Sequence, residues 1–327
     1  MNQKLNLSVI GVGHLGRHHA RHLSEIPQVN LAGVFDTDRD QALQVAANCA
    51  APVFNSLEEC LSVSDAVSIA TPTVTHADVA TTSLQAGKHV FIEKPITSTI
   101  AEADELIGLA EKMNVNLQVG HIERLNPALL PLQNYQLKPK FIEVQRLAPF
   151  TTRGTDVPVV LDLMIHDIDI ILSLVDAPVK NIRASGVSIM TKSVDIANAR
   201  IRFKNGTVAN ITASRIAKDQ VRKIKIFQQD MYATIDLSLG LTEIYRLLDA
   251  RQDTDAIVTA PLQQDDNQRQ IAYEKPKIDA GDALRMELEN FVAAIQGREK
   301  PIVDGRAGRD ALAVADKIHQ MIIEDLL

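Results

Sequence analysis

A lysine, a histidine and a line of carboxylates are spaced in this chain so as to handle protons. Lys94 stands in Glu93-Lys94-Pro95, directly after the apolar run Val90-Phe91-Ile92. Those three residues favour extended chain, and a Gly87-Lys88 turn precedes them. Pro95 cannot donate to a sheet ladder and restricts Lys94 to extended geometry, so the strand has to stop at the lysine. An open α/β sheet takes its ligand at the carboxyl ends of its strands, which makes Lys94 the first candidate for chemistry. The second group is Asp162, His166, Asp169 and Ser173, which fall on one line of a helix predicted over 159–175. That helix is otherwise apolar, apart from Asp167 off the line, and holds no Lys, Arg or Glu between Leu161 and Val175. A wet helix face normally carries such residues, so the line reads as a buried carboxylate–imidazole pairing, with Asp162 able to orient His166.

Polar groups gather at another predicted strand end. His121, Glu123, Arg124 and Asn126 follow a strand over 116–119, on what should be the same sheet edge as Lys94. Arg124 suits a phosphate or carboxylate, Asn126 suits hydroxyls, and Arg153 in a loop adds an anion contact. His14, His18 and His22 repeat every four residues, as metal ligands can, but they share the outward face of a helix where polar residues are ordinary; no metal is assigned.

The elements that position these groups begin with a strand over Leu5–Ile10 that runs into Gly11-Val12-Gly13-His14-Leu15-Gly16 and then a helix. Glycines at 11, 13 and 16 permit a tight turn, close approach of a pyrophosphate and close helix–strand packing, while the helix N-terminus offers free N–H groups. Asp36 ends the next strand, twenty residues beyond Gly16, where its carboxylate can accept from a ribose hydroxyl and would repel a 2′-phosphate. The pattern therefore specifies a dinucleotide site for NAD rather than NADP, with Arg39 as the nearby cation that would argue otherwise. Strands at 53–54 and 66–70 and helices at 38–48, 56–61, 76–86 and 99–113 continue the alternation, and Thr71, Pro72 and His76 form a loop fit to line the cofactor. Repeated strand–helix–strand units mean a parallel, doubly wound sheet.

After Pro127 the texture changes. Strand-like runs near Phe141–Leu147, 181–190, 195–203, 208–214, 223–227, 233–237 and 242–247 follow with few helices between them, and Asn205-Gly206 signals a hairpin. The expectation is an α/β protein: a parallel-sheet domain over 1–124, and an α+β domain over 125–327 with a large open mixed or antiparallel sheet. The polar stretch 249–267 reads as a solvated loop, and a helix over 307–326 is free to pack back on the first domain.

Composition excludes several functions. The chain has 327 residues, 46% hydrophobic and 23% charged, as soluble domains do. Its net charge of −7 argues against nucleic-acid or membrane-surface partners, which call for basic patches. Cys49 and Cys60 fit neither a disulfide framework nor a metal knuckle. With no apolar signal core and no span-length apolar stretch, a cytoplasmic protein is expected.

Four motifs together resemble the Gfo/Idh/MocA oxidoreductases: Gly11-Val12-Gly13-His14-Leu15-Gly16, Ala70-Thr71-Pro72, Glu93-Lys94-Pro95, and Asp162-Leu163-Met164-Ile165-His166-Asp167-Ile168-Asp169. The resemblance covers nearly the whole chain. It implies an N-terminal Rossmann domain, a C-terminal domain whose open sheet forms homodimers or homotetramers, and hydride transfer between nicotinamide and a sugar or cyclitol carbon. It also implies that Lys94 and His166 converge on the substrate hydroxyl and act on its proton, with Asp162 contributing. His121, Arg124, Asn126 and Arg153 are the expected substrate contacts, and Glu93 joins the cofactor-lining set. A lysine, ordinarily near 10.4, needs roughly 3–4 kcal/mol of tuning to serve as a base at neutral pH, whereas a histidine near 6.5 needs little. The sequence leaves open which of the two is the base. Many members carry Gly-Gly shortly before the aspartate; here Pro158-Val159-Val160-Leu161 stands instead. The stretches 120–127 and 162–167 look most like the branch that oxidises the 3-hydroxyl of UDP-N-acetylglucosamine. A nucleotide sugar is therefore the expected substrate, with an inositol, a simple sugar or a non-sugar carbonyl as the alternatives within the family and a non-catalytic NAD-binding sensor as the alternative of another class.

Overall fold

The computed structural model describes residues 4–151, 157–249, 256–261, 269–278 and 281–326. The chain divides into two compact units, Met1–Ile122 with Asp282–Ala313, and Glu123–Gly281 with Val314–Leu327. In the first unit, β1 (Leu5–Ile10), α1 (Gly16–Glu25), β2 (Val29–Phe35), α2 (Arg39–Cys49), α3 (Leu57–Val63), β3 (Ala66–Ile69), α4 (His76–Gln85), β4 (His89–Glu93), α5 (Ile100–Met113) and β5 (Leu117–Gly120) alternate as their patterns predict. The five strands lie in the order β2-β1-β3-β4-β5, all parallel. The chain leaves β1 in one direction and later returns to its other side with β3. That reversal opens a crevice at the carboxyl ends of β1 and β3, where the glycine turn and Thr71 stand. The strand expected at 53–54 is a single bridge from Val53 to Val34.

β4 shows why the sheet is a rigid platform. Val90, Phe91 and Ile92 are fully buried, since a parallel strand covered on both faces has no polar side to spare. α5 starts from Thr99, whose hydroxyl accepts from Glu102 N–H while Glu102 reaches back to Thr99 N–H, a reciprocal cap that fixes the chain just beyond Pro95. Against the expected division at 124/125, Asp282–Ala313 returns to the first unit. The reason is apolar: Leu288, Phe291 and Val292 of α7 (Ala283–Ile295) join the same core as Leu7, Val9, Leu23 and Phe91.

The second unit holds β6 (Phe141–Leu147), α6 (Ile165–Leu174), β7 (Val179–Val187), β8 (Ile196–Phe203), β9 (Val208–Ser214), β10 (Val221–Gln228), β11 (Met231–Asp236), β12 (Leu241–Leu248), β13 (Val258–Pro261) and β14 (Gln270–Glu274). They form one sheet in the order β13-β14-β12-β11-β10-β6-β9-β8-β7, mixed because β6 and β9 run parallel. β13 lies within the stretch expected to be loop, paired to β14 at the sheet's edge. The last helix, α8, spans Gly305–Leu326.

Strand alternation decides what holds α6. In β6 the inward positions are Ile142, Val144 and Arg146, so the strand delivers a guanidinium into the interior, 3% exposed. Arg146 Nε and Nη2 each donate at 2.8 Å to the Asp167 carboxylate, and Nη1 donates at 2.9 Å to Glu123 Oε1. Arg222 on β10 adds a contact to Glu123 at 3.3 Å. A buried ion network left without one partner is far costlier than one never built. Arg146→Ala should therefore lower unfolding free energy by about 3–5 kcal/mol in urea denaturation; a loss under about 1 kcal/mol would show that the network is solvated.

Candidate active site

The glycine turn is built for close approach. Gly11 has φ +81°, and a Cβ there would meet Thr71 at 2.8 Å; a Cβ at Gly16 would meet the Gly11 carbonyl oxygen at 1.8 Å. Gly13 differs: its nearest neighbour would be Gln41 Nε2 at 3.8 Å, so the backbone there faces open space. A cavity of about 570 Å³ opens beside it, lined by Val12, Gly13, His14, Arg17 and Gln41 among others. Asp36 sits at the end of β2 with Oδ2 accepting from Val12 N–H at 2.7 Å and Oδ1 from Asp38 N–H at 2.9 Å. A carboxylate has further lone pairs for a ribose hydroxyl. Arg39 turns to Asn55, donating to its Oδ1 at 2.7 Å. An uncovered backbone turn, a helix N-terminus behind it and an anchored acid together fit NAD: Gly11, Gly13 and Gly16 with His14 and Leu15 for the pyrophosphate, Asp36 for the ribose. His14 and Leu15 are both exposed on this turn.

His14 and His18 rings lie edge to face at 6.0 Å, while His22 turns to Asp282 at 3.3 Å, so the three imidazoles do not converge. Among the described residues no group of three His, Cys, Asp or Glu side chains could hold a metal ion, and no helix is long and apolar enough to cross a membrane.

Lys94 is half-buried where β4 stops, and its peptide bond to Pro95 is cis. Glu93 beside it is 9% exposed, and Lys94 N–H donates to its Oε2 at 3.3 Å. Burial opposes charge on Glu93, yet contact with His19 and then attraction to Lys94 hold its carboxyl below the usual range. His76 was expected to line the cofactor. It is 1% exposed, with Nδ1 3.0 Å from Pro95 O and Nε2 3.0 Å from Thr71 O. It therefore clamps the Lys94-Pro95 corner to the Thr71-Pro72 loop. Carbonyls only accept, so the two contacts favour a protonated ring, while burial drives His76 below its ordinary value.

The helix expected over 159–175 starts as a π-helical turn, Val160–Met164, before α6. Its wider turn takes Asp162 out of the α-helical phase of the residues after it. Asp162 and His166 are half-buried, Asp169 is buried and Ser173 is exposed; the last three keep one face of α6, and the π turn shifts only Asp162 relative to them. The buried carboxylates of α6 face guanidinium groups: Asp167 meets Arg146, and Asp169 accepts from Arg124 Nε and Nη2 at 2.7 and 2.8 Å. Arg124, expected as a substrate contact, is engaged by Asp169 within the chain. Asn126 is a correction: its amide donates to Glu123 Oε2 at 3.0 Å and Leu237 O at 3.2 Å, and its oxygen accepts from Ala128 N–H, which leaves no donor for a substrate hydroxyl. His121, at the end of β5, is 1% exposed. Arg153 lies outside the described residues.

Sequence reasoning missed Arg146 and His19. Arg146 is betrayed by its parity with Ile142 and Val144, and His19 by sharing the buried face of α1 with Ala20 and Leu23.

Two family models match the chain: the Gfo/Idh/MocA oxidoreductase family with its NAD-binding Rossmann fold over residues 5–121, and the Gfo/Idh/MocA C-terminal domain over 141–231. A UDP-N-acetylglucosamine 3-dehydrogenase of Acidithiobacillus ferrooxidans is 41% identical over 316 residues, covering 96% of each chain. A solved structure of that organism's UDP-N-acetylglucosamine 3-dehydrogenase superposes with a TM-score of 0.87 at 40% identity, over 98% of both chains. The WlbA dehydrogenase of Bordetella pertussis, solved with NADH and UDP-GlcNAcA, shares the fold with a TM-score of 0.80 at 18% identity, over 99% of this chain and 97% of its own.

A Cβ at Gly13 would meet only Gln41 Nε2 at 3.8 Å, so a larger side chain there fits the fold and would compete only with a ligand on the turn. Gly13→Val should raise the NAD dissociation constant at least about tenfold, about 1.4 kcal/mol, with the melting temperature unchanged. Unaltered NAD binding by calorimetry would place the pyrophosphate elsewhere.

Proposed function

The chain belongs to the Gfo/Idh/MocA family of NAD-binding oxidoreductases, and from that premise we propose that it oxidises the 3-hydroxyl of UDP-N-acetylglucosamine to a ketone. The observation that carries this reading is the likeness, along nearly the whole of both chains, to a dehydrogenase of that name. NAD, when bound, supplies the hydride acceptor. The chain's own residues handle the proton and the oxygen. His166, whose ordinary pKa lies near neutrality, takes the hydroxyl proton as the base, and Asp162 orients it. Lys94 donates from its ammonium to the same oxygen as carbonyl character develops, so negative charge there is met by a fixed positive one. Arg124 helps hold the nucleotide's anionic part from its seat beside Asp169. The reaction runs in the cytoplasm, where the free thiols of Cys49 and Cys60 stay reduced.

The working form is a homo-oligomer built through the open face of the nine-stranded sheet. A row of rings crosses five strands of that face: Phe141, Phe227, Tyr232, Tyr245 and Tyr273, neighbours in register with centroids 4.7–5.9 Å apart. In a chain that is 4% aromatic, five rings on one face form an apolar patch with Phe227 36% and Tyr245 39% exposed, and a second copy covers it.

Purified protein with NAD and UDP-N-acetylglucosamine should generate the absorbance of reduced nicotinamide, and with free N-acetylglucosamine far less. Lys94→Met and His166→Asn should each lose about a hundredfold or more in kcat with NAD affinity unchanged; near wild-type turnover in either would remove that residue from the chemistry. The double variant Phe227→Glu/Tyr245→Glu should run as a monomer in light scattering, and an unchanged mass would move the interface to another face.

A further inference from the structure

Under the glycine turn lies an imidazole shut off from solvent. His19, on α1, is 0% exposed. Its Nδ1 is 2.8 Å from Ser68 Oγ on β3, and its Nε2 is 3.0 Å from Glu93 Oε1 in an oblique approach. Phe91 seats the ring from the side at 5.6 Å, with Phe291 stacked edgewise behind it at 5.7 Å. A carboxylate accepts and never donates, so the ring hydrogen belongs on Nε2, and Ser68 O–H then donates to Nδ1. The imidazole is thereby fixed in one tautomer by its two neighbours, one of them the acid next to Lys94.

We propose that His19, anchored by Ser68, is a positioning residue that keeps Glu93 ionised and held beside Lys94, so that Lys94 meets the substrate as an ammonium donor. A buried carboxylate without support takes up a proton and loses its charge. The charged and titratable groups facing Glu93 are His19 from α1, Lys94 beyond its own strand and His76 from α4; His22 on α1 acts on His19 from one turn away. The attraction that lowers Glu93 through Lys94 is mutual, and it favours the positive form of the lysine. Removing His19 lets Glu93 neutralise, and Lys94 loses its counter-charge. What Lys94 does with its proton rests on the dehydrogenase reading above; that it holds one does not.

The test follows the Lys94 Cε signal by carbon-13 NMR in the full chain without cofactor or substrate, assigned by its loss in Lys94→Met. In His19→Leu the lysine's titration midpoint should fall by about one unit or more. His19→Gln, which keeps a donor toward Glu93, should recover part of the shift, and Ser68→Ala should give a smaller fall. In turnover, the alkaline limb of kcat/KM should move to lower pH by the same amount while KM for NAD holds. An unmoved Lys94 midpoint in folded His19→Leu overturns the proposal. If that variant does not fold, unmoved midpoints in both His19→Gln and Ser68→Ala overturn it equally. A shifted midpoint in a protein that does not turn over the nucleotide sugar upholds this inference and rejects the substrate reading.

Discussion

A buried carboxylate held in its charged form governs the lysine-bearing edge of the first unit. Glu93 ends a strand with no polar face, and its charge is tolerable there because His19, Lys94 N–H and the lysine's own charge surround it. Even the neighbouring strand makes room. A Cβ at Gly120 would stand 3.1–3.2 Å from the Glu93 carboxyl, so β5 carries a glycine at that point. Close by, His76 lies between the Lys94-Pro95 corner and the Thr71-Pro72 loop, its two ring nitrogens each 3.0 Å from a main-chain carbonyl. Lysine corner and lining loop are thus tied by imidazoles as well as by apolar packing.

The second unit meets a like problem with arginines. α6 is apolar on most sides and brings Asp167 and Asp169 into the interior, where each finds a guanidinium: Arg146 from the sheet and Arg124 from the turn after Glu123. Burial works against the charge on Glu123, and Arg146 and Arg222 outweigh it, holding its carboxyl below the usual range. His166 is half-buried on the same helix, whose first turn is held from two sides by these pairs. An imidazole that is to serve as the proposed base gains from such a mount, because a wandering ring forfeits the benefit of proximity.

Much of this was legible in the residues. The glycine spacing, Asp36 and the strand cut short by Pro95 specify the parallel sheet and its ligand edge, and hydrophobic parity marks most strands of the second sheet. What escaped did so for physical reasons. A π-helical turn leaves no mark in a spacing of four, three and four, so the spacing cannot show that Asp162 is out of phase with His166, Asp169 and Ser173. The polar residues of α6 pair with arginines from distant strands, and local spacing is blind to such partners. α7 follows the second sheet in sequence, yet its Leu288, Phe291 and Val292 complete the first unit's core, a long-range fact. Asn126 has the chemistry to meet a hydroxyl, and its amide donates instead to Glu123 in its own turn and to the distant Leu237 carbonyl. Arg146 and His19 were readable, by strand parity and by helix face, once a charged residue at an inward position is taken as a partner-seeking group.

The proposed reaction breaks the C–H bond at C3 of a nucleotide sugar and passes the hydride to NAD. The most direct measurement uses UDP-N-acetylglucosamine deuterated at C3 and follows the label by mass spectrometry. The account predicts deuterium in the reduced nicotinamide and slower turnover than with the unlabelled sugar. Reduced nicotinamide that forms without the label, at an undiminished rate, would contradict it.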